Sequence, residues 1–322
     1  MIDGCAGDGP GGPDSLDPVT HPAGRPDHPG DGDGWVRCAQ GHRHWGRFGA
    51  AGLLAHRAGP GGDDEVLLQH RAEWSHHGGT WGLLGGARTS GESALQAALR
   101  EAAEEGGVDP GLIRVEGRYG DEHGGWSYVT VLAAADPAVT ARPTGGESID
   151  VVWQPVDRVF DLPLHPGFAH TWPLLRPALR PLQVVVDVAN VMGSRPDGWW
   201  RDPAAAARRI IAACAALARR GVPAHALPRE MDWAPLHHVW PRLHLVLEGA
   251  ARRAAGDAPP DVHVVVAPGS GDDAIVATTA ALGPPTLVVT ADRELRRRCA
   301  AAGAVAAGPR WLLGLLDSPD TG

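Results

Sequence analysis

From Trp35 onward the chain carries short apolar runs separated by turn residues. Their spacing predicts strands at 48–56, 65–70, 113–118, 128–134 and 151–155. Helical spacing of the apolar positions predicts helices at 90–105 and 168–179. Strands and helices in this mixture predict a compact α/β sandwich.

The pattern changes after the prolines at 177 and 181. Consecutive β-branched residues at 183–188 are typical of a strand buried on both faces. Further along the chain, predicted strands alternate with predicted helices, the strands at 183–188, 243–247, 262–267 and 286–290 and the helices at 203–220, 272–282 and 292–302. This alternation predicts a parallel sheet with helices on both sides, and such sheets bind ligands beyond the carboxyl ends of their strands.

The first 34 residues are dominated by Gly, Pro and Asp and carry almost no large apolar side chains. Such a segment cannot offset the entropy lost on ordering, so we predict a disordered tail at 1–34. The chain, at 322 residues, is long enough for two further domains. We predict these domains at 35–181 and 182–318.

The composition excludes several kinds of site. Seven aspartates against one arginine place −6 of the net charge of −9 in the first 34 residues, so the remainder of the chain is only mildly acidic. The sequence has no lysine, which excludes a phosphate-binding P-loop lysine and a Schiff-base nucleophile. Four distant cysteines without a C-x-x-C pair, and the absence of a signal peptide or a long apolar run, predict a cytoplasmic protein that does not cross a membrane. Nothing in the sequence indicates an oligomeric state.

Three glutamates fall on one face of the helix predicted at 90–105. With Glu101 as origin and about 100° per residue, Glu105 lies at about +40° and Glu104 at about −60°. Arg100 flanks Glu104 and can orient its carboxylate. Like charges this close destabilise an isolated helix, and a bound cation reverses that effect. A solvated acidic face on a surface helix is the alternative interpretation.

The stretch from Gly86 to Val108 resembles the Nudix box, G-x5-E-x7-R-E-U-x-E-E-x-G-U. Its fixed positions are filled by Gly86, Glu92, Arg100, Glu101, Glu104, Glu105, Gly107 and Val108. The segment before the box also resembles the family's, but Leu84 stands where Pro is usual. The resemblance implies a Nudix α/β/α sandwich that hydrolyses a nucleoside diphosphate linked to another moiety.

The same resemblance implies the site residues. Glu101, Glu104 and Glu105 would bind Mg²⁺, with Mn²⁺ as the alternative ion, and Glu101, Glu104 and Arg100 would take part in catalysis. Glu147, in the loop before the strand at 151–155, is a further metal ligand or catalytic base, or else a solvated loop glutamate. Gly86 and Arg71 are candidates for contact with the nucleotide.

In the second half, acidic residues follow the predicted strands. Asp187 ends one strand, Asp272 and Asp273 follow another, and Asp292 follows a third. Strand ends of a parallel sheet converge, so these acids are expected to share a metal, although helix capping explains Asp272 or Asp292 taken singly. The pattern resembles the PIN-like and NYN ribonucleases, which implies metal-binding aspartates, an orienting Asn190, Glu248 as a fourth acid and RNA as a candidate partner.

Cys38, His42 and His44 are spaced as metal ligands can be. No fourth ligand is evident near them in the sequence, so ordinary strand-edge histidines are the favoured interpretation.

Three functions follow from these observations. The leading hypothesis is a Nudix pyrophosphohydrolase with a PIN-like domain that acts on RNA. The second is a regulatory protein whose Nudix fold senses a nucleotide and controls the other domain. The third makes the ribonuclease the principal activity.

Overall fold

The computed structural model describes residues 31–231, 233 and 235–318. The tail predicted at 1–34 therefore lies outside the described residues, apart from its last four positions. The strands are β1 Trp35–Arg37, β2 Arg43–Trp45, β3 Ala50–Ala58, β4 Asp64–Arg71, β5 Trp81–Gly82, β6 Leu84–Ala87, β7 Ile113–Glu122, β8 Ser127–Ala135, β9 Ser148–Pro155, β10 Gln183–Asp187, β11 Val222–Pro223, β12 His238–Val239, β13 Arg242–Leu247, β14 Val262–Val266, β15 Thr286–Val289 and β16 Val305–Ala307. The helices are α1 Ala94–Gly106, α2 Pro166–Leu175, α3 Val188–Gly193, α4 Pro203–Arg220, α5 Gly271–Leu282, α6 Arg293–Ala301 and α7 Pro309–Asp317.

A mixed sheet organises the first half of the chain. Its main order is β11-β12-β7-β8-β3-β4-β5, with β6 paired to β3 and β9 paired to β4. Strands β3 and β8 pair in parallel, and the other strand pairs of this sheet are antiparallel. Residues alternate between the two faces: Leu53 and Val131 pack with α1, whereas Leu54 and Leu132 join the core that contains Trp172 of α2. Helices thus cover both faces of a mixed α/β fold.

Helix α1 is held at both ends by local interactions. Ser93 caps its first turn, and its side chain accepts from the Gln96 N–H while the Gln96 side chain accepts from the Ser93 N–H. Gly107 ends the helix in the left-handed conformation, with φ of 63°. The cap explains why the helix begins at Ala94 rather than at the predicted residue 90.

A second, entirely parallel sheet organises the second half, in the order β14-β13-β10-β15-β16. The core on one face of this sheet includes Ile211 of α4 and Leu312 of α7. The core on the other face includes Ile275 of α5 and Leu295 of α6. The predicted parallel sheet with helices on both sides is present, and β16 and α7 extend it beyond the predicted elements.

The two halves share a sheet and a core. Strands β11 and β12 come from the second half, yet β12 pairs with β7 of the first sheet. One hydrophobic cluster runs from Leu54 and Trp172 to Val184 and Leu245. Short strands such as β11 and β12 carry too few residues for a period to be recognised, which is why the sequence did not predict them.

A buried carboxylate also bridges the halves. Glu116 occupies an irregularity in the β7–β8 register and is buried. It accepts hydrogen bonds from Arg114 (2.8 Å) and from Arg242 of β13 (2.7 Å), and His56 Nε2 lies 2.9 Å from its other oxygen. Two cations and an imidazole therefore compensate its desolvation.

Across the described part of the chain, none of the helices combines the length and the apolar character needed to cross a membrane.

Candidate active site

The three glutamates of α1 differ in their exposure to water. Helix α1 packs against β3 and β6, and this contact buries Glu105 and most of Glu101. The side chain of Glu104 is 59% exposed. The common face that the sequence predicts therefore runs from the protein interior to the solvent.

Gly86 of β6 leaves room for the carboxylate of Glu101. A Cβ at this position would lie 2.5 Å from Oε1 of Glu101 and 2.7 Å from its carboxyl carbon. Any other residue would displace the carboxylate. Burial raises the pKa of Glu101 to about 7, although Arg100 opposes the rise, and the charges of Glu104 and Glu147 add to it.

Glu105 contacts Gly85, the residue before Gly86 in β6. The backbone N–H of Gly85 donates to Oε2 of Glu105 over 3.2 Å. Burial raises the pKa of Glu105 to about 8, and the charges of Glu101 and Glu147 contribute to the rise. A cation bound beside these carboxyl groups would favour their ionised forms.

Arg100 connects the acidic residues of the box. Its guanidinium donates from Nε and Nη2 to the two oxygens of Glu92, over 2.8 and 3.0 Å. Nη1 donates to Glu101 over 2.8 Å and to Glu104 over 3.0 Å. The hydrogen bonds with Arg100, the largest cause, lower the pKa of Glu92 and keep it charged. The guanidinium thus fixes the direction of the Glu101 and Glu104 carboxylates.

Glu147 and Arg71 approach the same place from other elements. Glu147 immediately precedes β9, and its backbone carbonyl accepts from the Ala72 N–H over 2.9 Å. Its charge raises the pKa of both buried glutamates. Arg71 ends β4, and its charge acts in the opposite direction on Glu105. The structure therefore brings both sequence-predicted residues to the carboxylate helix.

The donor set fits a hard divalent cation. The acidic groups that converge here offer oxygen atoms only, and Mg²⁺ and Mn²⁺ prefer oxygen ligands and keep sites open for phosphate and water. Glu101, Glu104 and Glu105 are the residues that would hold such an ion, and Glu147 is placed to act as a further ligand or as a base.

Two neighbours of the site were missed in the sequence. The hydroxyl of Tyr128 fills the space beside Gly52 and Gly85, so that a Cβ at Gly85 would lie 3.0 Å from it. Gly52, a glycine inside a predicted strand, is the signal that could have indicated this close approach. Burial lowers the pKa of His165 to about 3, with Arg71 and His77 contributing, and no sequence pattern marks this residue.

A second acidic crevice lies at the carboxyl ends of the parallel strands. Its volume is about 450 Å³, and its lining includes Asp187, Asn190, Glu248, Asp272 and Asp292. Burial raises the pKa of Asp187, and Asp272 and Glu248 add to the rise. Burial also raises the pKa of Asp272, with Asp292 as the next cause. The strand ends thus gather acidic groups that influence one another.

Hydrogen bonds fix two members of this crevice. Asp187 accepts from the Asn190 N–H and from the Thr290 hydroxyl, each over 2.9 Å. The Asn190 side chain accepts from the Ala291 N–H over 2.8 Å, so it ties the end of β10 to the end of β15. The contact between Asn190 and Asp187 is therefore made by the backbone of Asn190, whereas its side chain orients the loop after β15.

The other three aspartates differ in their contacts with the crevice and with the neighbouring helices. Asp273 pairs with Arg298 over 2.6 Å and does not line the crevice, whereas the adjacent Asp272 does. Neighbouring positions on a helix point about 100° apart, so only one of the two can face the crevice. Asp292 lines the crevice and also caps α6, accepting from the Leu295 N–H over 2.7 Å.

Comparison with known proteins places the first half in a family. The NUDIX domain model matches residues 50–175. The chain is 48% identical over 161 residues to a Mycobacterium tuberculosis (strain H37Rv) protein named "Putative 8-oxo-dGTP diphosphatase 3", a match that covers 48% of this chain and 74% of that protein. It is 45% identical over 146 residues to a Bifidobacterium longum nucleoside triphosphate pyrophosphatase/Nudix hydrolase fusion protein, covering 44% of this chain and 30% of that protein.

A solved Nudix hydrolase is also similar to part of the chain. The Nudix hydrolase RenU from M. smegmatis is 48% identical to the chain, with a TM-score of 0.44, and the match covers 46% of this chain and 94% of RenU. The matched family region contains the whole carboxylate helix with Gly86, Arg71 and Glu147. The chain therefore belongs to the Nudix hydrolase family, the hydrolases that act on phosphoanhydride bonds.

Proposed function

We propose that the first half is a Mg²⁺-dependent pyrophosphohydrolase that cleaves a nucleoside diphosphate linked to another moiety. The triphosphate of an oxidised purine nucleoside is the first candidate substrate, because the Mycobacterium tuberculosis relative is named as an 8-oxo-dGTP diphosphatase. In that substrate the other moiety is the terminal phosphate.

The observation that carries this proposal is the unfavourable free energy of burying Glu101 and Glu105 close to each other. Glu101 and Glu105 are removed from water beside each other and beside Glu147, and each carboxylate raises the pKa of another. An arrangement that only stabilised the fold would not keep like charges together in this way. A bound divalent cation would make the cluster favourable.

The side chains then have separate tasks. Glu101, Glu104 and Glu105 would hold the cation, which would neutralise charge on the phosphates. Arg100 keeps two of these carboxylates in place. Glu147, which approaches from the loop before β9, accepts a proton from the attacking water.

We expect the nucleobase of the substrate to bind near Arg71. The ring of His70 stacks on Trp81, with centroids 4.7 Å apart and planes 9° apart. His165 contacts His77 edge to face at 4.8 Å and is influenced by the charge of Arg71. Flat rings next to a guanidinium suit a purine attached to phosphate. Arg71 would bind the phosphate nearest the nucleoside.

The sensor hypothesis is not favoured, because a nucleotide sensor does not need every acidic residue of the box.

Glu104→Gln tests the catalytic assignment. The substitution keeps the volume of the side chain and removes one negative charge from the cation site, so we expect kcat to fall by at least about 100-fold. Because Glu104 is exposed, the thermal midpoint should hardly change. Products from a panel of nucleoside triphosphates, including 8-oxo-dGTP, would be identified by mass spectrometry.

The control for this variant is Glu230→Gln, which neutralises an exposed glutamate outside the site and should keep full activity. Equal turnover in the two variants would contradict the proposal.

The pH dependence of stability tests the buried pair. A group whose folded-state pKa is raised stabilises the fold below its unfolded pKa and loses this contribution as pH rises through the folded value. With a chelator present, the thermal midpoint should therefore fall as pH rises from about 5 to about 8, because the pKa values of Glu101 and Glu105 are raised to about 7 and about 8. Mg²⁺ should raise the thermal midpoint by several degrees near the upper end of that range and by little near its lower end.

Glu101→Gln provides the comparison by differential scanning calorimetry. It removes one of the two titrations, so both the fall and the restoration by Mg²⁺ should shrink. A Mg²⁺ effect that is the same at both ends of the pH range would count against proton displacement by the ion.

The acidic crevice favours a second function. We propose that Asp187, Asp272 and Asp292, with Glu248 as a fourth acid, bind a divalent cation in a PIN-like site that cleaves RNA. The support is the position of these acids at the carboxyl ends of neighbouring parallel strands, around a cavity of about 450 Å³. Asp273 is excluded from this proposal by its pairing with Arg298.

Asp187→Asn tests the second site against the first. Cleavage of a labelled single-stranded RNA with Mn²⁺ should disappear in Asp187→Asn and persist in Glu104→Gln, while nucleotide hydrolysis should show the opposite pattern. RNA that stays intact with the unmodified chain, or cleavage that survives Asp187→Asn, would overturn the nuclease assignment.

A further inference from the structure

Four side chains with nitrogen and sulfur donors meet away from the carboxylate helix. Cys38 and His42 lie in the turn between β1 and β2, His44 lies in β2, and His123 lies in the turn between β7 and β8. One ligand atom from each residue, the thiol sulfur or an imidazole nitrogen, lies within 4.8 Å of those of the others. His123 supplies the fourth ligand that the sequence did not indicate.

Backbone hydrogen bonds hold the two turns together. The Cys38 N–H donates to the His42 carbonyl over 3.0 Å, which closes a tight loop around the thiol. The Ala39 N–H donates to the carbonyl of Gly124, the residue after His123, over 2.8 Å. Gly124 has a φ of 67°, and a Cβ there would lie 2.8 Å from that of Ala39. The approach of the turns therefore belongs to the backbone fold and does not depend on flexible side chains.

Two of the imidazoles carry buried nitrogens without a partner. Among the described residues, Nε2 of His44 and Nδ1 of His123 are inaccessible to water and make no hydrogen bond. Buried polar atoms almost always have a partner, and leaving one unsatisfied costs about 1–3 kcal/mol. A bound metal ion would satisfy both nitrogens at once.

Neighbouring groups orient these rings. The other nitrogen of His123, Nε2, lies 3.3 Å from Oδ2 of Asp121, the carboxylate–imidazole arrangement that commonly supports zinc-bound histidines. His44 stacks on Trp126, with centroids 4.1 Å apart and planes 12° apart, and the Trp126 indole N–H donates to the Gly46 carbonyl over 2.9 Å.

We propose that Cys38, His42, His44 and His123 form a structural zinc site. One thiolate and three imidazoles complete the four-coordinate tetrahedral shell of structural zinc, and the soft donors discriminate against the Mg²⁺ expected at the glutamates. The ion cross-links the β1–β2 hairpin to the β7–β8 turn. With four protein ligands no position is left for substrate, so its role is stability of this edge of the first sheet.

Metal analysis of the full chain tests this proposal directly. Purified protein should contain about one zinc ion per chain that excess Mg²⁺ does not displace. Replacement of the zinc by Co²⁺ should give the intense visible bands of tetrahedral cobalt and a thiolate-to-cobalt charge-transfer band. Removal of the metal should lower the thermal midpoint.

Variants separate the ligands from their surroundings. Cys38→Ser should remove the charge-transfer band, and His123→Ala should reduce the zinc content, whereas His170→Ala, at an exposed histidine, should change neither. Folding of each variant would be checked by circular dichroism. The cobalt spectrum of the unmodified chain decides the question even if a variant fails to fold. An octahedral spectrum without a thiolate band, or equal zinc content in the unmodified chain and in His123→Ala, would overturn the proposal.

Nudix activity would be measured in the same preparations. A chain that hydrolyses nucleotide but holds no zinc would contradict only the zinc proposal, and a zinc-containing chain without Mg²⁺-dependent hydrolysis would contradict only the pyrophosphohydrolase proposal.

Discussion

The repulsion between carboxylates at one end of helix α1 governs the chemistry of the first half. Glu101 and Glu105 lie one helical turn apart, and burial beneath β6 raises the pKa of both. The surrounding residues accommodate this cost in specific ways: Gly86 leaves space, the Gly85 N–H donates to Glu105, and Arg100 opposes the negative charge. In the proposed function, a divalent cation would turn this arrangement from unfavourable to favourable.

The rest of the first sheet serves to hold that cluster in place. Strands β3 and β8 alternate their side chains between α1 and the core shared with the second half, so the same strands support both layers. Strand β12 extends the sheet from the other half, and Glu116 joins Arg114 to Arg242 across the junction. In the proposal above, a zinc ion would fix the opposite end of β7, next to its turn into β8.

The sequence predicted most long elements because their periodicity extends over many residues. Helix α4 was placed without error at 203–220, and the carboxylate face of α1 followed from its spacing alone. Asp187, Asp272 and Asp292 were expected to converge because parallel strands end at one edge, and the crevice brings them together.

Other features depend on contacts between distant segments, which no local pattern records. The partner of Cys38 on the β7–β8 turn is His123, 85 residues further along the chain. The buried position of Glu116 arises from an irregularity in the pairing of two strands. The choice between Asp272 and Asp273 depends on the rotation of α5 about its axis, which its cap sets. Each of these requires the assembled fold.

The most direct measurement is a crystal structure with Mn²⁺ and a non-hydrolysable nucleotide, in which the anomalous signal of manganese locates the ion. We expect manganese bound by oxygens of Glu101, Glu104 and Glu105, with the diphosphate on its open side. Manganese found elsewhere, with these glutamates protonated or turned away from the nucleotide, would contradict it.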